Sequence, residues 1–227
     1  STTEDPILPS PTPGDGLVAI NFYSELNDSE SITRASRPLE KDFNVYGYKK
    51  LKDGSVQSIF GAASGQNGSY FVKYDSEHGT YDYLIPDSDQ VIHYWDSAAV
   101  NYHFFAYVGD TTNCTFDEAN NKLTFTAETS VENLKDNYFS RTCKREIKDE
   151  NGDIKDDAYD VVTLKFIQPY CQVRIMFLDV QNNPITPAPD YTFGPTNGRV
   201  MTQGNVSISY NVTGEEETVS CKPTTDG

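Results

Sequence analysis

Residues 102–108 read YHFFAYV, and no glycine, proline or charged residue interrupts them. Side chains of an extended strand alternate between the two faces of a sheet. One face would carry Tyr102, Phe104, Ala106 and Val108, and the other would carry His103, Phe105 and Tyr107. Because both faces are rich in apolar side chains, this run predicts a central strand that is buried on both sides. Residues 91–95 are predicted to be its partner strand.

The rest of the chain is dominated by short alternating runs that turn residues such as Asp53-Gly54 and His78-Gly79 separate. Further strands are predicted at residues 17–24, 43–50, 55–62, 70–75, 81–85, 122–126, 161–166, 172–178 and 206–212. One short helix is predicted from Thr129 to Lys135, because Thr129 and Glu132 have the spacing of a capping box. The overall pattern predicts an all-β sandwich or barrel.

The composition narrows the classes of function. The chain has 227 residues, with 34 acidic and 18 basic side chains, and its formal net charge is −16. A general nucleic-acid binder needs a basic surface, so this class is excluded. The 15 tyrosines and 12 phenylalanines outnumber the 2 methionines and the single tryptophan, which favours a β-rich protein. No run reaches the roughly 18 apolar residues of a membrane-spanning helix.

The organisation of the chain is predicted from proline content and from a change in composition. Residues 1–16 contain four prolines and read as an extended tether. A domain is predicted at residues 17–168, and a second β domain at residues 169–227. Because this second piece is short for an independent sandwich, either the natural protein continues or the piece packs as an extension of the first. The tether indicates a mature exported chain, although any chosen chain end would look the same.

The four cysteines leave two alternatives open. They are Cys114, Cys143, Cys171 and Cys221. No CxxC motif is present, so a zinc site is not expected. One disulfide and buried free thiols are equally weighted predictions, since an exported protein permits the first and cysteine packs as a small apolar residue.

Catalytic motifs are lacking in the sequence. The histidines His78, His93 and His103 form no HExxH or other metal-binding pair. An exported hydrolase would require a polar cleft in which a histidine has an acidic partner, and the three separated histidines make this the least favoured hypothesis. We therefore predict no enzymatic activity, no catalytic residue and no cofactor.

Two further motifs have a functional and a structural interpretation. Residues 149–160 place Asp149, Asn151 and Asp153 at calcium-loop positions, but Ile154 replaces the required glycine. A hairpin turning at Asn151-Gly152 is the favoured interpretation. The adjacent aromatic residues Tyr94 and Trp95 are candidates for a sugar-stacking platform, and packing in the core is the favoured alternative.

Several pieces of sequence share their order and spacing with one family. They are ITRA at residues 32–35, FNVYGY at 43–48, YW at 94–95 followed by YHFFAY at 102–107, and the apolar runs at 161–166 and 171–177. On these pieces the chain resembles the fimbrillin family of Bacteroidales-type cell-surface pili. It departs from the family at Gln168-Pro169, where many relatives carry a His-centred turn.

The resemblance implies a transthyretin-like Greek-key β-sandwich in two tandem domains, with the second domain short or incomplete. It implies a structural or adhesive subunit that is exported as a lipoprotein and either anchored at the outer membrane or assembled into a cell-surface fimbria. Its partners would be other fimbrial subunits, forming a homo- or heteropolymer, and a host surface protein or glycan. The alternative function is that of a monomeric surface carbohydrate-binding module.

The resemblance also implies assembly by strand exchange. Proteolysis between Arg34 and Ala35 would release the first strand, and a neighbour's strand would fill the exposed groove. Arg37 is the poorer cleavage site because Pro38 follows it. The removable strand would carry Val18, Ile20 and Phe22 on its buried face, and its loss would uncover apolar pockets and unpaired backbone groups.

Overall fold

The computed structural model describes residues 16–26, 37–60, 68–109, 114–130, 136–168, 177–186, 203–214 and 216–223. These residues form thirteen β-strands and no helix. The strands are β1 (Phe22–Leu26), β2 (Phe43–Leu51), β3 (Val56–Ser58), β4 (Tyr70–Asp75), β5 (Thr80–Asp82), β6 (Ala99–Val108), β7 (Cys114–Asp117), β8 (Lys122–Ser130), β9 (Tyr138–Ser140), β10 (Cys143–Glu146), β11 (Val162–Ile167), β12 (Gln203–Asn211) and β13 (Glu217–Pro223). The predicted all-β class is confirmed.

The strands form a nine-stranded and a four-stranded sheet. The large sheet has the order β1-β11-β9-β6-β2-β4-β5, while β10 also pairs with β6 and β3 with β2. The small sheet has the order β13-β12-β8-β7. β1 and β11 are parallel, and the other described pairs are antiparallel. Because β8 continues through Ser130, the helix predicted to begin at Thr129 is wrong there, and residues 131–135 lie outside the described residues.

β6 is a central strand with both faces buried, as residues 102–108 predict. It lies between β2 on one side and β9 and β10 on the other. Phe104 and Ala106 belong to one hydrophobic core, and Phe105 and Tyr107 belong to a second core on the opposite face. The alternation in the sequence therefore places one strand between two cores.

The first core fills the inside of the large sheet, which curls so that its end strands β1 and β5 come close together. Between these strands, the ring centroids of Tyr23 and Tyr81 are 5.8 Å apart. The second core lies between the two sheets, where the rings of Phe105 and Tyr210 stack with centroids 4.3 Å apart. This face-to-face packing is consistent with a β-sandwich.

The predicted pairing of residues 91–95 with residues 102–108 is wrong. The amide of Ile20 donates to the carbonyl of His93 at 2.8 Å, and the amide of Trp95 donates to the carbonyl of Val18 at 2.9 Å. Residues 93–95 therefore pair with the N-terminal segment, through an antiparallel bridge between Ala19 and Tyr94.

Strands on both sides of residue 168 share the small sheet. β12 pairs with β8 over nine residues, from Gln203↔Ser130 to Asn211↔Lys122. Val206, Ile208 and Tyr210 of β12 are buried in the second core. This pairing favours the alternative in which residues 169–227 pack as an extension of the domain at residues 17–168.

Two hairpins share one hydrogen-bonding scheme, in which an aspartate accepts from two amides of its own turn. In the first, Oδ1 of Asp149 accepts from the amides of Asn151 and Asp153. In the second, Oδ1 of Asp179 accepts from the amides of Gln181 and Asn183. The left-handed positions are Gly152 (φ 82°) and Asn182 (φ 67°), respectively. The hairpin predicted at Asn151-Gly152 is confirmed.

Candidate functional site

The candidate site is built around residues 18–26, here called the first segment. Its inward-facing side chains are Val18, Ile20, Phe22, Ser24 and Leu26. Ile20 and Ser24 have no exposed surface, while Phe22 and Leu26 are buried in the first core. The predicted alternation of Val18, Ile20 and Phe22 is confirmed, although the regular strand begins at Phe22 rather than at residue 17.

The backbone of the first segment changes its partner at Asn21. Residues 18–20 pair with residues 93–95 through the hydrogen bonds described above, and the carbonyl of Asn21 accepts from the amide of Val162 at 2.8 Å. From Phe22 to Leu26 the segment runs parallel to β11. β1 ends the order of the large sheet, so the first segment occupies an edge position.

Ile20 is held by a network of aromatic hydroxyl and imidazole groups. The hydroxyl of Tyr83 donates to the carbonyl of Ile20 at 2.6 Å and accepts from the amide of His93 at 3.3 Å. Nε2 of His93 lies 3.0 Å from the hydroxyl of Tyr70. Burial lowers the pKa of His93, and the nearby Lys49 lowers it further. The network therefore holds the first segment with a histidine that favours its neutral form.

Ser24 forms a small polar cluster inside the otherwise apolar first core. Its hydroxyl donates to the hydroxyl of Tyr81 and accepts from the amide of Leu39 at 3.0 Å. The amide of Glu40 also approaches the hydroxyl of Tyr81, at 3.3 Å. Local alternation in the sequence does not predict this cluster. A serine that continues an apolar alternation was the available signal, but its partner Tyr81 is 57 residues away.

The candidate cleavage site, Arg34 and Ala35, lies outside the described residues. The structure does describe the residues on either side of it, Leu26 and Arg37. The amide of Leu26 donates to the carbonyl of Arg37 at 2.6 Å, and the two residues form an antiparallel bridge. Residues 27–36 therefore connect two points that are hydrogen-bonded to each other, directly after the first segment.

The candidate sugar platform is corrected at Trp95. This side chain is only 5% exposed and packs in the first core, with its ring 4.9 Å from that of Tyr102. On another side, the guanidinium of Arg145 lies 5.4 Å from the indole centroid. Tyr94 is 39% exposed. Trp95 presents no open ring face and packs in the core, which is the interpretation that the sequence favoured for it, so the candidate stacking surface is not formed by these two residues.

A groove of about 700 Å³ lies beside the β4–β5 hairpin and contains a histidine with an acidic partner. Nδ1 of His78 is 2.6 Å from Oδ2 of Asp75, and the hydrogen bond from His78 lowers the pKa of the Asp75 carboxyl. Oδ1 of Asp75 accepts from the amides of Glu77 and His78. These local contacts close the hairpin turn, which gives the pair a structural role.

The calcium-loop interpretation of residues 149–160 has a physical obstacle. The guanidinium of Arg145 donates to the carbonyls of Asp157, Ala158, Asp160 and Val161. This guanidinium places a fixed positive charge at the end of the segment, and Asp149, the first ligand position, is engaged with its own turn amides. Among the described residues, no group of three or more His, Cys, Asp or Glu side chains is arranged to hold a metal ion.

Two of the four cysteines are described with their side chains. Cys114 and Cys143 are present as thiols. Burial raises the pKa of Cys114 to about 11 and raises that of Cys143 as well. Both thiols are therefore protonated and unreactive near neutral pH. Cys171 and the side chain of Cys221 lie outside the described parts, so the predicted disulfide stays a prediction for them.

Comparisons with known proteins identify no relative. No protein-family model matches the chain. No curated protein and no solved structure matches it either. Within the part of the chain that the structure describes, no helix has the length and apolar character needed to cross a membrane.

Proposed function

We propose that the chain is a structural or adhesive subunit of a cell-surface fimbria, which assembles by exchange of β-strands after proteolytic removal of its first segment. The proposed fold is a transthyretin-like Greek-key sandwich, in which the two tandem domains that the resemblance implies would share the small sheet, because β12 pairs with β8. The subunit would be exported and anchored at the outer membrane or incorporated into the fimbria. Its partners would be further fimbrial subunits and a host surface protein or glycan.

The observation that supports the proposal most is the placement of the first segment. It combines a sheet-edge position, a row of buried side chains and a following connection that contains Arg34. Cleavage in that connection would leave the segment attached by non-covalent contacts alone. Such a segment can be exchanged for another strand, because a strand is recognised by backbone pairing and by pockets for alternate side chains.

The groove left behind would bind a replacement strand strongly. Full burial of an apolar side chain contributes about 2 kcal/mol, and Ile20, Phe22 and Leu26 are each buried. Backbone groups of β11 and of residues 93–95 would also lose their partners. An empty groove is therefore a high-energy state that a second subunit can relieve.

Limited trypsin digestion followed by strand removal tests the proposal. We expect cleavage after Arg34, identified by mass spectrometry, and oligomers in size-exclusion chromatography once the first segment is released in mild denaturant. Arg34→Gln should block both steps. Arg37→Gln is the matched control and should leave both intact, because Pro38 already disfavours cleavage there. A cleaved and stripped protein that stays monomeric and accepts no strand would contradict the proposal.

The burial of Trp95 weakens the carbohydrate-binding alternative. The version of this hypothesis that uses Trp95 requires an accessible ring, and Trp95 is enclosed by the first core. Exposed Tyr94 by itself offers a single aromatic face. Strand exchange is therefore the function that we propose.

A further inference from the structure

The pockets that receive the inward-facing side chains of the first segment are apolar except for the one that holds Ser24. Four of the five inward-facing side chains are apolar, and Ser24 alone is polar. Ser24 has no exposed surface, Leu39 is 4% exposed and Tyr81 is 7% exposed. The serine hydroxyl is therefore a buried partner of the Leu39 amide and the Tyr81 hydroxyl, and it is the acceptor that the structure shows for that amide.

We propose that the groove selects an incoming strand that carries serine or threonine at the Ser24 position. This inference rests on the proposed function, because it specifies which partner strand the same groove accepts. An apolar residue there would leave the Leu39 amide without its acceptor and remove one partner of the Tyr81 hydroxyl. An unsatisfied buried polar group costs more than a hydrogen bond contributes, so the groove discriminates against such strands.

The hydroxyl position also fixes the register of the incoming strand. The required order at two-residue spacing is apolar, apolar, aromatic, hydroxyl, apolar, as in Val18, Ile20, Phe22, Ser24 and Leu26. A strand that slips by two residues keeps its inward face but places an apolar side chain beside Leu39 and Tyr81. A groove with apolar pockets only would accept the slipped strand more readily than a groove that requires a hydroxyl at one position. One buried hydroxyl thus excludes neighbouring registers.

Peptide exchange into the cleaved full chain tests the inference. A recognition sequence for a specific protease is inserted between Ser29 and Glu30, and the chain is cut so that both pieces stay together. A labelled peptide of residues 16–26 is added in excess, and its incorporation is followed by fluorescence anisotropy and native mass spectrometry. We expect Ser24→Ala and Ser24→Val peptides to bind roughly 10- to 100-fold more weakly than the native peptide.

The chain provides two matched controls. A Glu25→Ala peptide changes the outward face of β1 and should bind within about threefold of the native peptide. Val206, Ile208 and Tyr210 of β12 are buried, and so is Val212 directly after the strand. This order matches Val18, Ile20 and Phe22 but has valine at the hydroxyl position. A peptide of residues 204–214 also has Gly214 at the Leu26 position. The comparison is therefore made within this peptide, where Val212→Ser should improve binding about tenfold.

The possible results separate this inference from the proposed function. If the native peptide is not incorporated, strand exchange fails and the hydroxyl requirement fails with it. If the native and Ser24→Ala peptides bind equally well, the hydroxyl requirement is overturned while strand exchange stands. A Tyr81→Phe variant of the cleaved chain distinguishes hydrogen bonding from packing. There the preference for serine over alanine should shrink at least threefold, and an unchanged preference would overturn the inference.

Discussion

Gly47 shows at the residue scale how closely the strands of the first core are packed. It lies in β2 opposite Phe104 of β6. A Cβ atom added to Gly47 would meet Cδ1 of Ile59 at 2.8 Å and two ring atoms of Phe104 at 3.0 Å. The glycine therefore has a steric role, since the aromatic ring of the neighbouring strand occupies the space of its missing side chain.

Gly47→Ala should lower the free energy of unfolding by about 1–3 kcal/mol, because the added methyl group overpacks the first core. Urea unfolding followed by the fluorescence of Trp95 measures this change. Lys50→Ala is the control on the same strand, since Lys50 is exposed, and it should change the free energy by less than about 0.5 kcal/mol. Equal effects of the two substitutions would contradict the steric role.

Buried hydroxyl groups make the protein sensitive to alkaline pH. Burial raises the pKa values of Tyr83 and Tyr102 to about 12 and raises those of Tyr46 and Tyr48 further. Above pH 10 the unfolded chain loses these protons while the folded chain keeps them. Stability from these groups is therefore complete below pH 10 and is lost as the pH rises towards 12.

The free energy of unfolding should fall above pH 10 by about 1.4 kcal/mol per pH unit for each such tyrosine. Urea unfolding at a series of pH values measures this slope, and absorbance at the tyrosinate band shows when the phenols ionise. Tyr102→Phe should reduce the fall in the free energy of unfolding by about 1.4 kcal/mol per pH unit, the contribution of one tyrosine. An alkaline curve identical in the variant and the parent chain would rule out a contribution of Tyr102.

At the scale of elements, the two Asp-centred hairpins allow an internal comparison. Gly152 and Asn182 occupy the same left-handed position in their respective turns. Gly152→Ala should destabilise the protein by about 1–2 kcal/mol, because alanine is strained in this conformation. Gly152→Asn should cost clearly less, since asparagine tolerates it and already serves in the second hairpin. Urea unfolding measures the free energy of unfolding of each variant. Equal losses for Gly152→Ala and Gly152→Asn would show that strain in the left-handed conformation does not cause the destabilisation.

Strands whose alternation reflects burial can be predicted from the sequence, whereas strands defined by their neighbours cannot. Residues 70–75 coincide with β4, and residues 43–50 and 161–166 agree with β2 and β11 to within one residue at each end. β10 has the polar sequence CKRE and became a strand by pairing with β6. At the candidate site, alternation predicted the buried apolar side chains. The role of Ser24 depended on the distant Tyr81, which a local pattern cannot indicate.

At the scale of the whole molecule, the second core depends on residues on both sides of residue 168. The hydroxyl of Tyr210 donates to the carbonyl of Ser140 at 2.7 Å, and its ring covers Phe105. A chain that ends at Gln168 would expose Phe105 and Phe125, whose rings now contact Tyr210 of β12. Exposed patches of this kind favour association.

The shortened chain should therefore bind a hydrophobic dye, self-associate and unfold at lower urea concentration than the full chain. Dye fluorescence, light scattering and urea unfolding measure these changes. Tyr210→Phe in the full chain is the control, because it removes one hydrogen bond but keeps the covering ring; it should cost about 1 kcal/mol and bind no dye. A stable, monomeric shortened chain would instead support an independent domain that ends near residue 168.

The parallel pairing of β1 with β11 also affects the order of events during folding. Phe22 pairs with Val162, and 162 − 22 gives a separation of 140 residues, the largest among the described strand pairings. Contacts of such high contact order form slowly, because a long loop must close first. On the ribosome, the partner of the first segment emerges long after the segment itself. During synthesis the first segment therefore exists for an interval without β11, and its apolar side chains stay without their full set of partners until residues 162–166 are made.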